Sequence, residues 1–240
     1  GAEGGLQQNS YADFVDQNSF VSPTLFIAPT DNKYDIYAGL KGKLANAVAF
    51  NVRASYLNQD DKAMFVSNEY NPINANTEGY AYGNSFGIVY DNVKTISLFG
   101  ELKADFSKNI TFGVNATYNS FSTEIESEAW NLPQLKVGTS VDFDINEKWY
   151  AGANVFFVGE RKDRVTVQDD MMAFPATFTQ QVQNLDSYFD LNAHIGYKYN
   201  ARLTGFLKGN NLANQQYNRW TNMPVQGIQI LIGANYKFDF

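Results

Sequence analysis

Apolar and polar residues alternate with a period of two over long stretches of this chain, a pattern that fits β-strands with one oily face and excludes helices as the main element. Over 94–106, Ile96, Leu98, Leu102, Ala104 and Phe106 fall on even positions against Thr95, Ser97, Glu101, Lys103 and Asp105. The stretch 110–120 repeats this with Ile110, Phe112, Val114, Ala116 and Tyr118. Leu135, Val137, Val141, Phe143 and Ile145 oppose Lys136, Ser140, Asp142 and Asp144, and Trp149, Ala151, Ala153, Val155 and Phe157 carry the next strand. The run 185–199 sets Leu185, Phe189, Leu191, Ala193, Ile195, Tyr197 and Tyr199 against Asp186, Asp190, Asn192, His194 and Lys198. Leu203 and Leu207 alternate with Arg202, Thr204 and Lys208, and the last strand presents Ile228, Ile230, Ile232, Ala234, Tyr236, Phe238 and Phe240 on one face. Earlier strands are expected near 34–41 and 47–57, with extended stretches of ambiguous face at 20–27, 63–69 and 84–91. The pattern predicts about ten to twelve strands.

Connection lengths alternate as well. Short turns at Leu44 to Asn46, 107–109, 146–147 and 200–201 interleave with long connections at 123–131, 161–184 and 211–224. Short turns at one end and long loops at the other are the habit of an outer-membrane barrel. Several predicted strands run 11 to 15 residues, against roughly 9 to 11 for a tilted bilayer crossing and about 5 to 6 for an average sandwich strand. Tyr118, Phe121, Trp149, Tyr197, Tyr199, Tyr236 and Phe238 sit near strand ends, where interfacial rings belong. The mean hydropathy of −0.35 argues against a membrane helix but not against a barrel whose strands alternate oily and wet faces. The expected fold is therefore all-β: an antiparallel transmembrane β-barrel of meandering strands, with a soluble all-β binding module as the alternative.

Composition narrows the chemistry. A formal charge of −7 without a basic run argues against nucleic acid as a partner. An aromatic content of 15 % excludes disorder, and the lack of cysteine removes disulfides, thiolate metal sites and cysteine nucleophiles. Gly1 to Leu6 do not read as a signal peptide, so a mature form or a fragment is expected, with 1–240 forming a single barrel domain or part of one. His194, the single histidine, shares a strand face with Asp190 at about 13 Å, too far for a dyad. No nucleophile, base and orienter are brought together by any sequence signature, so no enzyme, cofactor or metal site is expected. Asp60-Asp61 and Asp169-Asp170 read as solvated loop charge, since neither has calcium-loop spacing. Glu101, Lys103, Asp105, Asp142, Asp190, His194, Lys198 and Arg202 are the candidate lumen-facing residues, of both signs and therefore silent about the solute. The connection 161–184 opens with Arg161-Lys162-Asp163-Arg164 and continues to Met171-Met172-Ala173-Phe174-Pro175. Its basic start suits anionic lipopolysaccharide and its Met-Phe stretch suits a cover over the barrel mouth or a contact with a partner, with plain loop packing as the alternative.

Two segments carry a family resemblance. Gly233-Ala234-Asn235-Tyr236-Lys237-Phe238-Asp239-Phe240 resembles the C-terminal targeting signal of outer-membrane barrels, with Gly233, Tyr236, Phe238 and Phe240 as its signal residues. Leu231 departs from it, standing where a polar residue is usual. Asn210-Asn211-Leu212-Ala213-Asn214-Gln215-Gln216-Tyr217 resembles the segment before the last strand of TonB-dependent receptors, carried by Asn211, Leu212 and Tyr217. The likeness covers 84–240 well and the first 83 residues only in style. It implies a barrel in the outer membrane of a Gram-negative bacterium, inserted by the barrel-assembly machinery, surrounded by lipid and lipopolysaccharide, and taking part in solute uptake with a periplasmic energy-coupling protein or a surface lipoprotein. A complete receptor of that family has roughly 22 strands and a plug, so the chain, which has no plug domain, is expected to be the C-terminal part of such a barrel or a smaller relative. A small closed barrel with a structural, adhesive or partner-binding role is the rival, and requires 20–27 to pair with 226–236.

Overall fold

The structure, a computed structural model, describes residues 1–68, 85–169 and 177–238. Expectations placed on Glu69, Asn84, Asp170, Met171 to Pro175, Asp239 and Phe240 lie outside the described residues. In chain order the elements begin with β1 (Ala2–Gln7), α1 (Tyr11–Gln17), β2 (Thr30–Ala45), β3 (Val48–Ser67), β4 (Phe86–Ser107), β5 (Ile110–Thr123) and β6 (Leu135–Asp144). They continue with β7 (Trp149–Val158), β8 (Arg161–Gln168), β9 (Phe178–Leu185), β10 (Tyr188–Lys198), β11 (Leu203–Asn210), β12 (Asn218–Trp220), β13 (Met223–Pro224) and β14 (Gln229–Tyr236). Ten strands form one antiparallel sheet in the order β1-β2-β3-β4-β5-β6-β7-β10-β11-β14. The hairpins β8–β9 and β12–β13 interrupt this meander as separate two-stranded sheets.

Register converts the sequence alternation into two faces. One row of neighbours runs Val48, Ala104, Phe112, Val141, Ala153, Ala193, Gly209, Ile230 across eight strands without a polar side chain. The flanking positions point the other way, and their row runs Asp105, Thr111, Asp142, Gly152, His194, Lys208, Leu231. The apolar face is bare: Leu98 is 52 % exposed and Ile232 78 %, with Leu40, Ile96 and Leu207 also open. A continuous oily surface of this extent requires an apolar surrounding rather than water.

The short turns hold that register. Asn146 Oδ1 accepts the N–H groups of Lys148 and Trp149 at 2.9 and 2.8 Å, and Asn200 Oδ1 accepts those of Arg202 and Leu203 at 2.8 Å each. Side-chain amides that mimic a backbone turn in this way start the next strand at a fixed residue. Every strand-to-strand connection at this end of the main sheet is short, and those at the other end are long, including 8–29 between β1 and β2. Trp149 and Tyr197 meet across strands at the short-turn end, ring centroids 4.7 Å apart, and Tyr236 and Phe238 lie 4.8 Å apart.

The buried core sits at the long-connection end. Met64 and Phe65 are sequence neighbours and so face opposite ways on β3. Phe65 packs with Phe14 of α1, Val21 and Phe86, and Trp220 closes over Phe65 and Phe86 at 5.3 and 5.4 Å. Met64 packs with Val66, Val93 and Trp130, backed by Phe121.

Several expectations are revised. The stretch 20–27 is not a strand pairing with 226–236; it makes a single bridge, Val21 to Phe86, and joins the core. β1 and β14 instead form the two edges, and the sheet is open. The run 185–199 is β10 from Tyr188 to Lys198, with Leu185 ending β9 and Asp186 between the two strands, and 161–184 holds the β8–β9 hairpin in place of a structureless loop. Asp60 and Asp61 lie within β3 at a bulge, where Lys33 Nζ reaches Asp31 and Asp60 at 2.8 and 3.1 Å. Phe121 is half-buried and packs against the Met64 cluster instead of standing as an interfacial ring. α1 has a signal in the sequence: Ser10 and Asp13 form a reciprocal capping box.

The two faces predict different tolerance to charge. Leu98→Arg on the apolar face is expected to cost about 2–4 kcal/mol of folding stability in lipid vesicles, and Glu101→Arg on the polar face less than about 0.5 kcal/mol. Urea titration of vesicle-folded protein measures both.

Candidate functional site: the polar wall and its loop cluster

The candidate residues form rows on one face of the sheet. Asp105, Asp142 and His194 share the row given above, in which Asp105 Oδ1 accepts from Thr111 Oγ1 at 3.0 Å. Glu101 and Asp190 share another, with Asn115, Gly138 and Phe156 between them. Lys103 heads a third row with Gly113, Ser140, Asn154 and Asn192, the last two hydrogen-bonded at 3.2 Å. Arg202 is the exception: it lies in the turn before β11, with its carbonyl accepting from Lys237 N–H at 2.8 Å.

The carboxylate neighbour of His194 is Asp142, two strands away, rather than Asp190 on its own strand. Both side chains lean over Gly152, where an added Cβ would come within 2.6 Å of Asp142 Oδ1 and against the imidazole. An added Cβ would displace the tips of both side chains, so the glycine leaves room for the two to approach. The Tyr150 ring lies 5.9 Å from His194 and 5.6 Å from Lys198 Nζ. Together with Thr111, Asp142 and Asp144 these residues line a cavity of about 490 Å³ near the short turns.

Asn211, Leu212 and Tyr217 tie the 211–228 connection to β10. Asn211 is buried with a left-handed backbone, φ 47°. Its Nδ2 donates to the carbonyls of Gln215 and Gln226 at 3.0 Å each, and its Oδ1 accepts Gln215 N–H at 3.0 Å. Its own N–H reaches Asp190 Oδ1 and Asn192 Oδ1 at 3.2 Å each. The N–H of Leu212 donates to the Leu191 carbonyl at 2.8 Å. Tyr217 donates its hydroxyl to Asp190 Oδ2 at 2.8 Å and stacks on Tyr188 with centroids 3.9 Å apart. Burial, and then the bond to the Asp190 carboxylate and its charge, raise the Tyr217 phenol above its usual value.

The basic start of β8 is engaged within the chain, with Arg161 buried and Lys162 paired but half-exposed. Arg161 is buried, donates to the Arg219 and Asn218 carbonyls at 2.5 and 2.9 Å, and lies 5.3 Å from the Tyr188 ring. Burial pulls its guanidinium below the usual value. Lys162 pairs with Glu128 at 2.5 Å and Arg164 with Glu126 at 2.8 Å. Asp163, 0 % exposed, accepts from Ser67 N–H at 3.2 Å and Thr221 Oγ1 at 2.5 Å, so it joins β3, β8 and the 211–228 connection. Nothing in the sequence signals this centre, because its members are scattered polar residues brought together only by long connections.

Of the signal-like residues, Gly233 lies opposite Phe206, whose ring occupies the space a Cβ would need. Tyr236 ends β14 and Phe238 follows it.

An antiparallel meander with one bare oily face, one polar face, short turns at one end and folded connections at the other is the architecture of an outer-membrane β-barrel wall. The chain has the fold of the barrel region of TonB-dependent receptors. The pyoverdine outer membrane receptor FpvA from Pseudomonas aeruginosa superposes with a TM-score of 0.65 at 10 % identity, over 99 % of this chain and 33 % of that one. The copper transporter OprC gives 0.63 at 12 % identity, over 99 % and 36 %. The ferric-catecholate import receptor Fiu from E. coli gives 0.59 at 12 % identity, over 92 % and 31 %. The chain thus spans about a third of the length of these receptors. No protein-family model matches it, and no curated protein matches it in sequence.

The loop cluster can be probed at two residues. Asn211→Ala removes the amide that closes the 211–228 connection and is expected to cost about 2–4 kcal/mol, read as a lower unfolding temperature in detergent and faster proteolysis within 211–228. Burial raises the Asp163 carboxyl above its ordinary value near 3.8. The folded state then holds a proton that the unfolded chain releases, so stability falls as pH rises from 3.8 through the folded value. Protection factors of β8 and β9 amides, with the intrinsic pH dependence of exchange divided out, should accordingly rise on acidification towards the folded value, and Asp163→Asn should remove that rise.

Proposed function

We propose that this chain is a barrel portion of an outer-membrane receptor of a Gram-negative bacterium and takes part in energised uptake of a solute. The observation that carries the reading is the open ten-stranded sheet with a bare oily face and two edges that have no partner strand among the described residues. Within a bilayer an open edge leaves backbone N–H and C=O groups without partners, each at a cost of several kcal/mol. β1 and β14 therefore call for further strands to complete a barrel, which disfavours the small closed barrel. The exposed apolar face disfavours the soluble module. Residues 1–240 are read as a single stretch of barrel wall.

In this reading Glu101, Lys103, Asp105, Asp142, Asp190, His194 and Lys198 face the lumen, and the long connections lie at the cell surface. Gly233, Tyr236, Phe238 and Phe240 serve recognition by the barrel-assembly machinery, and a periplasmic partner supplies energy. The role is transport rather than catalysis, in keeping with the receptors of the same fold.

The test is fractionation followed by uptake. The protein is expected in the outer-membrane fraction, with solute uptake lost when the periplasmic energy coupler is deleted; a compact, heat-modifiable species formed by residues 1–240 alone would instead favour the small closed barrel. Recovery from plain buffer as a folded monomer would overturn the assignment.

A further inference from the structure

A cavity of about 650 Å³ opens between the end of β9 and the 211–228 connection, within the size range that encloses a small ligand. Its polar lining is rich in carboxamides: Gln183, Asn184, Gln216 and Asn218 contribute theirs, Asp186 adds a carboxylate, and Tyr217 presents a ring backed by the parallel ring of Tyr188. Among the described residues no lysine or arginine lines it. The carboxamides of Asn184, Gln216 and Asn218 make no hydrogen bond among the described residues and stand at exposed positions, where a ligand would exchange with water alone.

Charge separates the ligand classes. The cations of β8 are already engaged, Arg161 by the Asn218 and Arg219 carbonyls, Lys162 by Glu128 and Arg164 by Glu126, and Arg219, near enough for its charge to act on Tyr217, does not itself line the cavity. An anionic iron chelate would meet the Asp186 carboxylate with no cation lining the cavity, on a chain of net charge −7. A polyhydroxylated neutral solute meets the opposite situation. Each carboxamide both donates and accepts, a carboxylate accepts two vicinal hydroxyls, and an aromatic ring packs on the C–H face of a sugar. We propose that this cavity binds a neutral oligosaccharide, which rests on the uptake reading and names the class of solute.

The test is calorimetric titration of the detergent-purified protein with maltopentaose, cellopentaose, xylopentaose and mannopentaose, and separately with a ferric tris-catecholate. At least one sugar is expected to bind, with little dependence on salt. Asn184→Ala and Gln216→Ala, both at exposed positions, should each weaken it about fivefold without changing the β-sheet circular dichroism of the protein. Binding of the ferric chelate weakened by these variants, with no sugar bound, overturns the proposal and leaves the uptake reading intact, as does outer-membrane protein that binds none of the probes. Protein that never reaches the outer membrane overturns the uptake reading itself.

Discussion

Everything in this molecule depends on strand register. A strand exposes alternate side chains to alternate faces, so a slip of one residue between neighbours would carry the oily set to the wet side. Here the register keeps Val141, Ala153, Ala193 and Ile230 on one row and Asp142, His194 and Lys208 on the next. The same side-chain device appears twice, with Asn146 and Asn200 each accepting two backbone N–H groups just before a strand begins. Local turn chemistry thus sets which face each later side chain takes.

The other end is built by different physics. There the strands run on past the two-faced band, and Met64 and Phe65 are both covered by connections, one by Trp130 and the other by α1 and Trp220. Polar groups hold these connections in place: Asp91 accepts the N–H groups of Ile125 and Glu126, Asp163 binds Ser67 and Thr221, and Asn211 closes its own loop. Each of these side chains is buried, and a buried acceptor without a donor is costly, so the connections are placed specifically. The resemblance motif Asn211, Leu212 and Tyr217 is accordingly a fastening of the last connection to β10.

The legibility of the chain divides along the same line. β5, β6 and β7 are readable almost to the residue because their alternation is unbroken and the turns between β4 and β5 and between β6 and β7 are short. β4 reads as two stretches because its N-terminal part is buried on both faces, which hides the period of two. β1, with Gly4 and Gly5 in six residues, carries no apolar period at all, and the hairpins β8–β9 and β12–β13 lie outside the two-faced band. The rows of the polar wall are legible as a face, whereas the meeting of His194 with Asp142 over Gly152 is not, since it requires the register of three strands.

Fold class, the apolar face and the turns at one end follow from the chain alone, because a period of two and an asparagine-led turn are properties of a few consecutive residues. The folded arrangement was needed to decide that the sheet stays open between β1 and β14, that Arg161, Lys162 and Arg164 are engaged internally, and that carboxamides from 183–184 and 216–218 face one cavity. Those outcomes depend on contacts between residues far apart in the chain, whose burial and charge pairing exist only once the strands have been laid side by side.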